Sequence, residues 1–482
     1  MSQGFRAAFV MRASTHRLLS VTVVALFAGV ALSGCTSVRD KQELGAAFVK
    51  RSCLEKTQRV ATAIGPPAAA PLSLPSVAVA PVVPGALVQG TQEMVIGTLL
   101  PSAAVASRAD MVRAADLAAE QANAANALRI RLIHSDAASA SADALGALAS
   151  QGAVVVVASP ITGELLDEAA QRKVVVFGPT ATDPSLSLER RNDGYFYRIP
   201  PSTALEGETL ADLVWKEGCR TVGVLADGDA NGRGVAARFR SALEDKGGTV
   251  SELVLVTGTP TGGQVQQVAR NDPDAVLLVM GAQAGAEAIK SAFDLGKMKR
   301  SVWYFSGSLR SDAFVQAVGK EENTETKRSE FVVSGLRGAS PEATTGPALD
   351  AFRSDYRAAY PEDADGPGPW AAETYDAVMI AALAGSATIR SQELRGEFVR
   401  DHVREVANRD SSSDVPVRGS SIRNGILLAA TGTNVDYQGA SGDGDFDAYG
   451  DPKSGFYAWW KVNEDGSLTT TRSKVEPGKP PP

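Results

Sequence analysis

The sequence predicts an α/β fold of doubly wound parallel sheets. Its apolar segments are short continuous Val/Leu runs, the pattern of strands buried on both faces, and helix-length stretches separate them. A chain of 482 residues with 44% hydrophobic content also suffices for two domain cores. In order, strands are expected at "EMVIGTLL" (93–100), "LRIRLI" (128–133), "AVVVVA" (153–158), "KVVVFG" (173–178), "TVGVLA" (221–226), "VSELVLV" (250–256), "AVLLVMG" (275–281) and "SVWYFSG" (301–307). Helices are expected at 107–122, 203–217, 233–246 and 283–296. Parallel sheets of this kind bind ligands beyond the carboxyl ends of their strands, where loops meet helix N-termini. The loops of interest are therefore 101–106, 159–164, 178–184, 227–232, 281–284 and 306–310.

The first 34 residues read as a signal peptide. Arg6, Arg12 and Arg17 precede the apolar run 18–32, which is too short to span a bilayer comfortably. The stretch Leu32-Ser33-Gly34-Cys35 resembles the bacterial lipobox, which implies diacylation of Cys35 and anchoring without a transmembrane helix. Residues 35–92 are expected to form a lipid-anchored stalk. Its part from Asp40 to Ile64 is charged and suited to a short helix, and 65–90 holds six Pro and six Ala with no charge. Such a segment is a semi-rigid spacer, reaching about 80 Å at roughly 3.1 Å per residue. The last residues, 471–482, are expected to be disordered.

Charge narrows the function. The chain has 48 basic and 55 acidic residues; removing the first 34 takes away three Arg and no acid, leaving 45 against 55 and a net charge of −10. That balance argues against nucleic acid and against a basic membrane-surface patch. Only Cys53 and Cys219 remain beyond Cys35. Both are expected to stay free thiols, because a bridge from the stalk across a cleft would hinder opening. No H-E-x-x-H, G-x-S-x-G or G-x-x-x-x-G-K-[ST] pattern occurs, and the three histidines include one in the signal peptide. Neither catalysis nor a cofactor is expected.

Five segments, in order, resemble type I periplasmic solute-binding proteins of the branch that binds branched-chain amino acids. They are "VVVVASPITGE", "KVVVFGPTATDPSL", "YFYRIPPSTALEGETLADLVWKEGCRTVGVLADGDANGRGVAARF", "WAAETYDAVMIAALA" (370–384) and "YQGASGDGDFDAYGDPKSGFYAWWKVNEDGSL" (437–468). The resemblance spans about 375 residues, 93 to 468. It implies two α/β lobes joined by three crossovers, with lobe one at 93–200 plus 338–432 and lobe two at 201–337 plus 433–470. It also implies a small polar solute clamped in between, an ABC transporter permease as partner, and a place in the cell envelope facing the periplasm or exterior. Members of the fold also serve as sensors, or as ligand-free partners that activate cell-envelope enzymes.

Residue by residue, the implied pocket departs from the amino-acid binders. Gly163 stands where their loop has a carboxylate-holding Ser, with Thr162 beside it. Thr180, Ala181 and Thr182 match the ligand-contacting loop of lobe one. In lobe two Asn231 replaces a ligand-covering Tyr, and Ser308 replaces the acid that pairs with an ammonium, with Arg310 two residues on. Arg310 would suit a carboxylate solute. Ser102 and Gly281 complete the candidate set.

The stretch Asp227-x-Asp229-x-Asn231-Gly232 matches the start of a calcium loop, but its twelfth position is Arg238, which would repel the ion. Two readings of 227–232 remain open, the lip of the pocket and a plain strand-to-helix turn. The acidic run Asp443, Asp445, Asp447 and Asp451 is expected to be a solvated turn, and no metal site is expected.

Overall fold

The apolar runs dictate the layers. Every residue of Ala275–Val279 and of Val175–Gly178 is buried, as strands covered on both faces require. The computed structural model describes residues 49–53, 92–102, 107–135, 139–188, 193–323, 326–363, 365–390, 393–418 and 421–475. The signal peptide, Cys35 and most of the expected stalk lie outside the described residues.

Lobe one opens with β1 (Glu93–Leu99), α1 (Ser107–Asn123), β2 (Arg129–His134), α2 (Ala142–Ser150), β3 (Ala153–Ala158), α3 (Gly163–Arg172), β4 (Val175–Gly178), α4 (Ser185–Leu188) and β5 (Phe196–Arg198). Its strands form a parallel sheet of order β2-β1-β3-β4-β5. Lobe two follows with α5 (Ala204–Lys216), β6 (Thr221–Asp227), α6 (Ala230–Asp245), β7 (Thr249–Val256), α7 (Gly262–Val268), β8 (Ala275–Val279), α8 (Ala282–Asp294), β9 (Val302–Phe305), α9 (Asp312–Val318), the hairpin β10 (Lys320–Asn323) and β11 (Arg328–Phe331), and β12 (Arg337–Pro341). The chain then returns to lobe one through α10 (Pro347–Ala359), α11 (Ala371–Thr388), α12 (Gly396–Ala407), β13 (Val415–Val417), α13 (Ile422–Thr431) and β14 (Val435–Tyr437). It ends in lobe two with β15 (Gly455–Val462) and β16 (Leu468–Val475). The second sheet has the order β16-β15-β12-β9-β8-β6-β7, antiparallel only where β15 meets β12 and β16.

Both faces of the first sheet are covered. Helices α1, α11, α12 and α13 share one core with Met94, Ile96, Val155 and Phe177, and α2 and α3 pack on the other face with Leu99, Val156 and Val176. Helix α11 is buried on almost every side, which its run of Ala, Gly, Ser and Thr permits because small side chains allow close approach.

The crossing points differ from those expected. Residues 338–341 lie in the second sheet, since β12 bridges β9 and β15. Val435, Tyr437, Ala440 and Phe446 belong to the core of lobe one, although 433 onward was expected in lobe two. Strand β16 runs to Val475, inside the expected disordered tail, because its backbone pairs along the whole of β15.

The two cysteines are bonded, which corrects the expectation of free thiols. Cys53 and Cys219 form a disulfide with their Cα atoms 5.3 Å apart. The expected obstacle does not arise, because the segment 49–53 docks on lobe two itself and the bridge crosses no cleft. Val49 is buried in the lobe-two core, the Lys50 amide donates to the Met298 carbonyl at 2.8 Å, and Arg51 pairs with Glu330 at 3.4 Å. The described part of the expected stalk helix is thus a docked, non-helical segment. Cleavage of the chain after Lys56 or Arg59 is expected to leave the N-terminal piece joined to the body on a non-reducing gel and free after reduction. Release without reductant would contradict the pairing.

Candidate functional site

The loops of lobe one are set by hydrogen bonds that can be followed from strand to strand. After β3 the chain passes Ser159 and Pro160, and Thr162 caps α3 by accepting from the Leu165 amide at 3.2 Å. Thr162 is therefore an exposed helix cap and Gly163 the first helical residue. Ser159 reaches sideways to the next loop, where its hydroxyl lies 2.6 Å from that of Thr180. Ser102, at the end of β1, is half-buried.

The loop 178–184 is held most firmly. The Thr182 carbonyl accepts from both the amide and the hydroxyl of Thr203, at 3.0 and 3.2 Å, at the first crossover. Arg198, fully buried at the end of β5, donates to the carbonyls of Ala181 and Asp183 at 3.2 and 3.0 Å and to Asp451 at 2.5 Å. Asp451 is thus no member of a solvated turn, correcting that expectation. A buried guanidinium must be paired and fully hydrogen-bonded, so it draws the loop and the third crossover onto itself. Pro184 lies against α6 of lobe two, where a Cβ built on Gly234 would come within 2.3 Å of the proline ring. Only glycine fits at that approach. The Thr180–Thr182 loop and the helix carrying Asn231 therefore meet across the cleft.

In lobe two the 227–232 loop is a helix start built from both carboxylates. Asp229 caps α6 by accepting from the Gly232 amide at 2.7 Å, and Asp227 accepts from the Gly281 amide at 3.1 Å. Burial pushes the Asp227 carboxyl up, with the Gly281 bond opposing and Asp229 adding to the shift. Asn231 is exposed in the first turn of α6, and Gly281 precedes α8. Together with 257–259 these loops line an open depression of about 690 Å³.

After β9, Gly307–Leu309 form a single 3-10 turn with Ser308 exposed. The buried carboxyl of Glu206 on α5 holds this turn by accepting from the Gly307 amide at 2.7 Å. Desolvation pushes that carboxyl up to about 7, the Gly307 bond opposing. Arg310 is not the free cation that the sequence suggests. Its guanidinium is paired with Glu342 and donates to the Ser340 hydroxyl at 2.9 Å, so its charge is neutralised within lobe two.

A cavity of about 250 Å³ opens where the three crossovers meet, lined among others by Pro200, Glu342, Trp370, Glu373, Ser441 and Tyr457. It adjoins both loop sets, since Ile199 beside it donates to the Gly178 carbonyl at 3.2 Å and Glu342 in its wall pairs with Arg310. Beneath it, fully buried Asp376 of α11 accepts from the Tyr437 hydroxyl at 2.6 Å and the amides of Ala440 and Ser441 at 2.9 and 2.7 Å. Two motifs far apart in sequence, "ETYDAV" and "YQGAS", thus form one unit. Sequence reasoning missed Trp370 and Glu373 because it searched only strand-end loops; the Gly-Pro-Gly-Pro-Trp run before α11 was the available signal.

Comparison with known proteins decides the family. The periplasmic binding protein family model matches residues 94–450. The chain is a periplasmic binding protein. It is similar in fold to a leucine-binding protein of Thermotoga maritima, at 17% identity and a TM-score of 0.50, covering 80% of this chain and 99% of that one. An ABC transporter substrate-binding protein of Desulfitobacterium hafniense in complex with Leu shares 18% identity, with a TM-score of 0.51 and coverage of 79% and 100%. A third such protein, from Sphaerobacter thermophilus, shares 17% identity, with a TM-score of 0.51 and coverage of 80% and 98%. No curated protein matches the chain. Periplasmic binding proteins hold their solutes and do not transform them.

Removing the buried cation would strand Asp451 and two carbonyls. Arg198→Met is expected to cost about 3–5 kcal/mol in a urea unfolding experiment. A loss below about 1 kcal/mol would show that the loop does not depend on it.

Proposed function

We propose that this protein is an exported receptor, lipid-anchored at Cys35, that encloses a small polar solute between its lobes and presents it to an ABC transporter permease. The observation that carries this reading is the clamped loop 178–184 lying directly against α6 of lobe two. Thr180 and Thr182 offer hydroxyls there on a backbone held by Arg198 and Thr203. Among the described residues the Thr182 hydroxyl has no hydrogen-bond partner in the protein, leaving it for a solute. Rigid donors lose little entropy on binding. Lobe two adds Asn231, Gly281 and Ser308 from its own strand ends.

The Cys53–Cys219 bond supports export, since disulfides persist in oxidising compartments. It also shortens the tether. The bridge fixes Cys53 on lobe two, so at most residues 36–52 would link the lipid to the body. Those residues span at most about 50 Å at roughly 3.1 Å each. The Pro- and Ala-rich stretch then connects the docked segment on lobe two with β1 of lobe one, instead of holding the body away from the membrane. Neutralised Arg310 favours a second reading, a partner protein that uses this fold without a solute.

Cys35→Ser is expected to move the protein from the membrane fraction to the soluble one; unchanged fractionation would remove the anchor. Calorimetry against amino acids, amines, carboxylates and polyols is expected to find a bound solute. Thr182→Val, nearly isosteric, should then weaken it by about 1–3 kcal/mol, roughly tenfold to a hundredfold. Absence of binding by every class would favour the partner reading.

A further inference from the structure

The geometry points to the cavity at the crossovers as the subsite for a cationic group of the solute, with Glu373 as its counter-charge and Trp370 as its aromatic wall. This assignment rests on the receptor reading above. The cavity is walled by all three connections between the lobes, through Pro200, Glu342 and Pro452, so a group held there senses their relative position. Its volume of about 250 Å³ suits a small head group.

The charges in its wall are one-sided. Glu342, Glu373 and Asp443 line it, and among the described residues no Lys, Arg or His does. Glu342 is neutralised by Arg310. Glu373 is different: among the described residues its carboxyl has no ion pair, and the donor that acts on it is its own backbone amide in the first turn of α11. Desolvation pushes it up to about 7, and Asp376, one turn on, pushes in the same direction. Asp376 is itself committed to Tyr437, Ala440 and Ser441. Exposed Arg353 of α10 lines a neighbouring hollow that Glu373 also borders, outside the crossover cavity.

A carboxyl in this position is a poor partner for an anion and a good one for a cation. An arriving cation supplies the charge that the protein withholds, so the carboxyl ionises and gives up its proton. Trp370 adds an indole beside it, and indole faces attract cations, alkylated ammonium groups above all. Trp370 adopts φ 66°, in the left-handed region that bulky side chains rarely occupy. Such conformations concentrate where the fold must hold a side chain for function. Proton release sets the pH dependence. Affinity for a permanent cation rises as pH rises toward 7, by up to tenfold per unit, and levels off once Glu373 is ionised.

The test uses the full-length protein and three probes, choline, its neutral isostere 3,3-dimethylbutan-1-ol, and agmatine. Calorimetric titrations are run at pH 5.5 and pH 7.5 on wild type and on Glu373→Gln, whose fold is checked by thermal melting. Wild type is expected to bind choline or agmatine at pH 7.5, to prefer choline over the isostere by at least tenfold if choline is the one bound, and to bind more weakly at pH 5.5. Glu373→Gln should lose the preference and the pH dependence while still melting cooperatively. Should that variant fail to fold, Trp370→Leu replaces it and should weaken the cation alone. Equal affinity for choline and its isostere overturns the assignment, as does a preference that survives in Glu373→Gln. If a neutral or anionic solute binds in a Thr182-dependent way while neither cation does, the subsite fails and the receptor reading stands. If no solute of any class binds, both fail.

Discussion

One buried cation, Arg198, sets the position of three separate stretches of chain. A guanidinium removed from water is tolerated only when its donors find partners, and here they reach Ala181 and Asp183 of the loop 178–184 and the carboxylate of Asp451. The loop that meets lobe two, the first crossover and the third crossover are thereby referred to a single point. What looks like a surface loop is as rigid as the sheet edge it leaves. The cleft inherits that rigidity on the lobe-one side.

Asp376 plays the corresponding part at the third crossover. Burial raises its affinity for a proton, and four donors from Tyr437, Ala440 and Ser441 oppose this. The closing segment is thus bound to α11, the most enclosed helix of lobe one, and the hinge is anchored in that core. Motion between the lobes must be taken up by short connections beside these fixed points. A cavity at the same junction lies where solute occupancy and lobe position are most directly coupled.

The repetitive part of the fold was legible. Val/Leu runs such as "AVVVVA" and "AVLLV" carry enough β signal that the expected strands appear within about two residues of their places. Short strands were not legible: "FYR", "RGASP" and "VDY" are not among the expected strands, and they form because neighbouring strands leave edges to pair. The same limit applies to chemistry. The Asp229 helix cap follows from local sequence. The pairing of Arg310 with Glu342, the docking of Val49 on lobe two and the Cys53–Cys219 bond are long-range, and no local pattern announces them. Trp370 and Glu373 were passed over because they flank a crossover, where strand-end reasoning does not look.

The central claim is that solute is held between the lobes by loops of both. Hydrogen exchange measured by mass spectrometry, with and without a defined pool of amino acids, amines and polyols, tests it most directly. The account predicts added protection in 178–184 of lobe one and in 227–232 and 306–310 of lobe two, appearing together and at the same solute concentration. Protection confined to one lobe, or absent from all three loops under conditions where solute is bound, would contradict it.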